Sequence, residues 1–286
     1  IADDSKISGL QLLASAIHRN GAKAFIQLFF SGAIPSPLKV LRGLMPVSPT
    51  KRPCFLDPDF MCREPDEEEI WEIIDSYGLA AARAQEAGFD GVDIHAGHGG
   101  LIQQFLSPLF NQRTDIWGQD RVKFGLEVIR SIKKHAGDDF PIIWRISLDE
   151  KSGPDGFDDK ESLEKWIPMW EKAGVHSFHV SAGGIMSTDA LAYAVPPLYF
   201  PKACLIRYSK AVMKRTSLPV IGVAKIMDAP LARSVIEKGS ADIVAVGRPI
   251  SSDPDFPNKV FEGRDNEIRK CIACNWCLTT HSNMNN

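Results

Sequence analysis

The stretch DEEEIWEIIDSYGLAAARAQEAGFDGVDIH, residues 66–95, holds one complete helix-to-strand unit. Asp66 can cap a helix and Glu69 stands three residues later, which is the spacing of a capping box. Apolar residues at helical spacing then form one face: Ile70, Ile73, Ile74, Tyr77, Ala80, Ala81 and Ala84. Gly88 can end the helix in a left-handed cap, and the short apolar run at 91–95 follows as a strand.

The same alternation extends along the rest of the chain. Short β-branched runs recur between longer helical patterns, which is typical of parallel strands joined by crossover helices. We predict six strands, at residues 23–29, 91–95, 142–147, 177–181, 219–224 and 242–246. The predicted fold class is therefore α/β, a TIM-type (β/α) barrel with six βα units visible of the expected eight.

Other local signals complete the predicted architecture. Gly174 and Gly239 stand, like Gly88, where a helix meets the next strand, and Asp228 with Pro230 marks another helix start. Residues 31–65 are rich in Pro, Ser and Lys and lack periodicity, so we expect a long loop there. The predicted domains are a β/α barrel over residues 1–264, lacking the first two strands, and a Cys-rich extension over residues 265–286.

Composition and charge exclude several classes of protein. A formal net charge of −3 over 286 residues, without a dense Lys/Arg cluster, argues against nucleic-acid binding. No apolar run approaches the roughly 20 residues that a membrane-spanning helix needs, and residues 1–6 carry three charges. Three of the six cysteines are packed together, which indicates a metal or cluster site in a reducing compartment. We expect a cytoplasmic protein without nucleic-acid or membrane partners.

Four polar residues at the ends of predicted strands are candidates for ligand binding. Gln27 could offer a donor and an acceptor to a planar heterocycle, or could simply bond to the backbone. His95 and His98 could donate to one carbonyl or phenolate oxygen, bind a metal, or serve the core. Arg145, in an apolar strand, needs an anion such as a reduced flavin, or a buried ion pair.

The last two predicted strands end in Ala224-Lys225 and Gly247-Arg248. In a β/α barrel the loops after strands seven and eight commonly form a phosphate site from backbone N–H groups. Each loop here also brings a cation. The pattern therefore predicts a phosphate site at Ala224, Lys225, Gly247 and Arg248.

A cluster of cysteines lies near the end of the sequence. Cys271, Cys274 and Cys277 have the C-x2-C-x2-C spacing, which favours an iron–sulfur cluster over zinc. No fourth cysteine follows, although His281 could complete a zinc site, and free thiols are the remaining alternative.

Together these motifs resemble the old yellow enzyme family, in particular its branch with 2,4-dienoyl-CoA reductase and trimethylamine dehydrogenase. The most specific stretches are GVDIHAGHG at 91–99, QFLSP at 104–108, NQRTD at 111–115 and ADIVAVGRP at 241–249. The resemblance implies FMN at the barrel mouth, with Gln27 and Arg145 at the flavin ring and Ala224, Lys225, Gly247 and Arg248 at its phosphate. It also implies that His95 and His98 bind the substrate, and that Cys271, Cys274 and Cys277 ligate a [4Fe–4S] cluster.

The sequence departs from the family pattern at three places. The two opening strands have no counterpart, and the region after Gly118 is shorter. Gly100 occupies the position of the family's tyrosine proton donor, so Tyr193, Tyr199 or water must supply the proton.

The resemblance leads to a functional expectation with two alternatives. We expect an FMN-dependent oxidoreductase that passes hydride from NAD(P)H to an α,β-unsaturated carbonyl compound, a small-molecule substrate. The alternatives are a flavin-dependent amine dehydrogenase or demethylase with an iron–sulfur cluster, and a non-catalytic barrel remnant. The sequence leaves open the substrate, the preferred nicotinamide and whether the protein forms a homo-oligomer.

Overall fold

The computed structural model describes residues 1–34, 45–55 and 58–278. Its centre is a parallel sheet of six strands that are adjacent in chain order. The six predicted strands are all present, several of them shorter than expected. They are β1 (Phe25–Leu28), β4 (Gly91–Ala96), β5 (Ile142–Ser147), β6 (Ser177–Ser181), β7 (Val220–Gly222) and β8 (Ile243–Val244).

Helices connect consecutive strands of this sheet, as the predicted βα repeat requires. The α-helices of the described residues are α1 (Ile7–His18), α2 (Glu67–Glu86), α3 (Leu101–Leu106), α4 (Ile116–Gln119), α5 (Lys123–Ala136), α6 (Asp159–Glu161), α7 (Ile167–Ala173), α8 (Thr188–Ala194), α9 (Ile206–Val212), α10 (Ala229–Glu237), α11 (Arg248–Ser252) and α12 (Phe256–Phe261). A π-helical turn (Ser162–Trp166) joins α6 to α7.

Local chemistry explains why these elements start and stop where they do. The Asp66 side chain accepts a hydrogen bond from the Glu69 backbone N–H and so caps α2, as predicted. Asp228 caps α10 through the Leu231 N–H in the same way. Gly88 and Gly174 have φ of 83° and 92°, the left-handed conformation expected where a helix gives way to a strand.

The core lies between the sheet and its helices. The predicted face of α2 is buried against the sheet and against α5, and Ile142, Trp144 and Ile146 of β5 alternate with residues on the other face. This alternation leaves Ile143 and Arg145 on the inner side of the sheet. Apolar packing on one face thus positions polar side chains on the other.

The sheet does not close into a complete barrel within the described residues. β1 pairs only with β4, and β8 pairs only with β7. Phe25 on β1 and Ile243 on β8 are exposed at these two edges. The open arrangement matches the expectation of six visible units.

The predicted loop at 31–65 contains more structure than expected. Strands β2 (Arg52–Pro53) and β3 (Met61–Cys62) pair in antiparallel fashion within it. Cys54 and Cys62 are buried there, with their sulfur atoms 3.0 Å apart. Two-residue strands show no periodicity, so the sequence pattern missed them; residues 35–44 and 56–57 of this loop lie outside the described part.

Two further expectations concern the chain as a whole. No helix among the described residues is both long and apolar enough to cross a bilayer. The division between a barrel at 1–264 and an extension at 265–286 stays a prediction, and residues 279–286, including His281, are outside the described part.

Candidate active site

Polar side chains of neighbouring strands lie together near the carboxyl edge of the sheet. Gln27 of β1 is opposite Asp93 of β4, and Arg145 of β5 is flanked by His95 of β4 and His179 of β6. Because the strands are parallel, the loops that follow them meet at the same edge. The structure thus brings to one end of the sheet the predicted residues Gln27, His95, His98, Arg145, Lys225 and Arg248.

Asp93 and His179 belong to this group although the sequence analysis did not select them. Asp93 accepts a 2.8 Å hydrogen bond from Nε2 of Gln27 and lies 3.1 Å from Nδ1 of His179. Burial opposes ionisation of Asp93, but His179, Gln27 and Arg145 outweigh it and lower the carboxyl pKa. Asp93 stands two residues before His95, and that spacing could have placed both on one face of the strand. Gln27 lies on the edge strand, and its side chain is exposed although its neighbours in the sequence are apolar.

His95 lies near the end of β4 and His98 lies just after it, and the two rings are in contact. Nδ1 of His98 is 3.2 Å from Nε2 of His95, and Nε2 of His98 is 2.7 Å from Oγ of Ser181. Burial, aided by the charge of Arg145, lowers the pKa of His95 to about 3 and that of His98 well below its usual value. Both rings are therefore neutral near pH 7, and each has a single N–H donor. The described residues contain no group of three His, Cys, Asp or Glu side chains around which a metal could bind.

Arg145 is a partly buried cation without an ion-pair partner in the described part of the chain. Burial lowers its pKa, and the nearby charge of Asp93 works against that effect. Its Nε has no hydrogen-bond partner. The alternative of a buried ion pair is thus not realised among these residues, and the guanidinium is available to an anionic or polar ligand.

Four buried polar atoms in this cluster lack a hydrogen-bond partner among the described residues: Asp93 Oδ1, His95 Nδ1, Arg145 Nε and His179 Nε2. Buried polar groups are nearly always paired, and an unpaired one costs roughly 1–3 kcal/mol. Four such atoms on adjacent strands indicate a ligand with several polar atoms. A flavin ring, which carries donors and acceptors along one edge, fits this requirement.

A cavity of about 330 Å³ opens beside Arg145 and His179 and extends under the loops after β7 and β8. The residues that line it include Ala224, Lys225, Gly247 and Arg248, for which the sequence predicts a phosphate site. Ala224 and Lys225 have φ of 80° and 57°, an unusual backbone conformation for residues with a side chain. Such conformations are costly and concentrate at ligand-binding sites.

The two cations of this cavity are held differently. The Lys225 ammonium is buried and donates to the backbone carbonyls of Pro197, Leu198 and Phe200, so its charge orders that loop. Nη1 of Arg248 donates to the Pro196 carbonyl, 2.7 Å away, and to Oδ1 of Asn275. Lys225 therefore shapes the cavity, whereas Arg248 keeps further N–H groups of its guanidinium for a ligand.

The Cys-rich segment lies against the same cavity. Asn275 also donates from Nδ2 to the Val195 carbonyl, and Cys277 lines the cavity. Cys271 and Cys277 are partly buried while Cys274 is exposed. The three thiols are not gathered into a metal-ligand group within the described residues, so the iron–sulfur cluster has no support from the geometry and stays a prediction.

The space next to Gly100, the position of the expected tyrosine, is taken up by a neighbouring ring. A Cβ atom added at Gly100 would lie 2.6 Å from the Phe29 ring, which packs against His95 with ring centroids 4.9 Å apart. Phe29 therefore takes up the room next to His95. Tyr199 is 78% exposed, and Tyr193 packs against Phe200; neither ring contacts the two histidines in the described structure.

A buried carboxyl group supports the loop that carries His98. Glu150 accepts hydrogen bonds from Gln103 Nε2 at 3.2 Å and from Ser107 Oγ at 2.8 Å. Oε1 of Gln103 in turn accepts from the Gly99 N–H. Burial raises the pKa of Glu150 to about 7.

Comparison with known proteins identifies the group to which this arrangement belongs. A profile of the NADH:flavin oxidoreductase / NADH oxidase family matches residues 1–267. The chain belongs to this family. Membership confirms the predicted recognition and the barrel fold class.

Three relatives of the family illustrate the similarity. The NADH oxidase of Thermoanaerobacter brockii is 41% identical over 280 residues, which cover 96% of this chain and 41% of the relative. Cinnamate reductase of Clostridium sporogenes is 35% identical over 280 residues, covering 92% of this chain and 41% of that protein. The structure of histamine dehydrogenase from Rhizobium sp. 4-9 superposes with a TM-score of 0.85 at 30% identity, over 99% of this chain and 40% of that one. The chain thus spans about two-fifths of the length of these family members.

Proposed function

We propose that this chain is the FMN-binding part of an oxidoreductase that takes hydride from NAD(P)H and passes it to an α,β-unsaturated carbonyl compound. The observation that carries the proposal is the cluster of four unpartnered polar atoms, two of them on Arg145 and His179, which line the 330 Å³ cavity. Family membership supports a flavin and a nicotinamide reductant. When bound, FMN would supply the atom that accepts hydride from the nicotinamide and delivers it to the alkene.

The residues of the site divide between the two ends of this cofactor. Ala224, Lys225, Gly247 and Arg248 would hold the phosphate, through backbone N–H groups and the free N–H groups of Arg248. Gln27 and Arg145 would bind the ring. The charge of Arg145, which lies near Asp93 but forms no ion pair within the described residues, would stabilise the negative charge that a flavin gains on reduction.

The histidine pair would form the substrate end of the site. A neutral imidazole that donates to the carbonyl oxygen withdraws electrons from the conjugated alkene and stabilises the developing enolate. The unpartnered Nδ1 of His95 supports this role. With Gly100 in place of a phenol and Phe29 beside it, we assign the proton to water.

Anaerobic single-turnover spectroscopy of the purified, FMN-loaded protein tests the proposal. We expect NADH or NADPH to bleach the flavin absorbance, and an enone such as 2-cyclohexenone to restore it. Bleaching by an amine such as histamine, but not by NAD(P)H, would instead support the amine dehydrogenase alternative. No change with either reductant would overturn both and favour the non-catalytic remnant.

A further inference from the structure

The hydrogen bonds of His98 leave it no nitrogen for a substrate. Its Nδ1 lies 3.2 Å from Nε2 of His95 and its Nε2 lies 2.7 Å from Oγ of Ser181. Its backbone N–H donates to Oγ of Ser147, 3.0 Å away, and that hydroxyl donates to the Gly183 carbonyl. His98 has a φ of 53°, so these contacts hold a backbone conformation that is otherwise unfavourable.

The direction of the hydrogen bonds follows from the burial of Ser181. Its side chain is 1% exposed, and Nε2 of His98 is its one hydrogen-bond partner among the described residues. If the hydroxyl only accepted a bond from His98, its own hydrogen would be buried without an acceptor, which is unfavourable. The hydroxyl therefore donates to Nε2 of His98.

Each neutral imidazole carries one N–H and one lone pair, so this first bond fixes the others. His98 must hold its proton on Nδ1 and donate it to Nε2 of His95. His95 must then hold its proton on Nδ1, the buried atom that lacks a partner. A carbonyl or phenolate oxygen only accepts hydrogen bonds, and it would find a donor there.

We infer that Ser181 and His98 are positioning residues which lock His95 in the Nδ1–H tautomer, so that His95 alone donates to the substrate oxygen. The identity of the ligand in this inference rests on the proposed function. It departs from the expectation that both histidines contact the substrate. The preferred ligands are compounds with one strong acceptor oxygen, either carbonyl or phenolate.

The tautomers can be measured without a bound cofactor. In the flavin-free protein labelled with ¹⁵N-histidine, we expect the ¹⁵N–¹H correlation spectrum to show His95 and His98 as Nδ1–H tautomers. Ser181→Ala should convert both to a mixture, whereas Ser181→Thr, which keeps the hydroxyl, should restore the wild-type pattern. Ser177→Ala is the matched control, because Ser177 lies on the same strand as Ser181 but donates to the Pro219 carbonyl and not to a histidine.

Ligand binding supplies the second readout. 4-Hydroxybenzaldehyde added to the FMN-loaded protein should bind as a phenolate, and Ser181→Ala should weaken its binding about fivefold, the usual effect of one lost neutral hydrogen bond. Ser181→Thr and Ser177→Ala should bind like wild type. An Nε2–H tautomer of His95 in wild type, or unchanged tautomers in Ser181→Ala, would overturn the inference. Failure of wild type to bind FMN would instead count against the proposed function and leave the tautomer result to decide the inference.

Discussion

At the scale of single residues, the site depends on partly buried polar groups with unpartnered atoms. His95 and Arg145 were foreseeable because each interrupts an apolar strand pattern in the sequence, and His98 because it closely follows the end of the same strand as His95. The contact between Asp93 and His179 was not foreseeable, because the two residues are 86 positions apart in sequence. Such a contact depends on the register of β4, β5 and β6, and a linear pattern does not encode register.

Glu150 allows a prediction at the same scale. Its pKa is raised by burial from 4.5 to about 7, so the folded state binds this proton more tightly than the unfolded state. The corresponding stability is complete below about pH 4.5 and is lost as the pH rises through about 7. Over this interval we expect the free energy of unfolding of wild type to fall by up to about 3 kcal/mol more than that of Glu150→Gln, which cannot ionise.

Urea unfolding at several pH values measures this difference. Glu72→Gln is the control, because Glu72 is exposed on α2 and should keep the wild-type pH dependence. Parallel stability curves for wild type and Glu150→Gln would show that Glu150 is already ionised or that its proton is not linked to folding.

At the scale of elements, the sequence predicted what depends on local periodicity and capping. α2, its Asp66 cap and the six strands of the sheet followed from such signals. The β2–β3 pair did not, since two-residue strands carry no repeating pattern. The contacts of Asn275, in the Cys-rich segment, were equally invisible, because its partners Arg248 and Val195 are 27 and 80 residues away in sequence.

That segment leads to a second prediction. Asn275 accepts a hydrogen bond from Arg248 and donates one to the Val195 carbonyl, so it holds the guanidinium in place at the cavity. We expect Asn275→Ala to weaken FMN binding about fivefold through loss of this support. Ile272→Ala, a change to an exposed side chain of the same segment, should leave the affinity unchanged. Equal FMN affinity for Asn275→Ala and wild type in a fluorescence titration would show that Asn275 does not support FMN binding.

At the scale of the whole molecule, the order of strands was predictable because consecutive parallel strands joined by helices tend to be neighbours. The sheet nevertheless has two unpaired edges in the described residues, at β1 and β8. Gln27 is exposed for this reason, since β1 has a neighbour on one side only. Exposure at a sheet edge depends on which strands are present, and the local sequence around Gln27 contains no information about that.

The central claim is that the cavity between Arg145 and Arg248 binds the ring and the phosphate of FMN. Titration of the flavin-free protein with FMN and, in parallel, with riboflavin tests it most directly. The account predicts saturable binding of one FMN per chain, at least about tenfold tighter than riboflavin, because charged hydrogen bonds to the phosphate are lost with riboflavin. Equal affinity for the two compounds, or no binding of either, would contradict it.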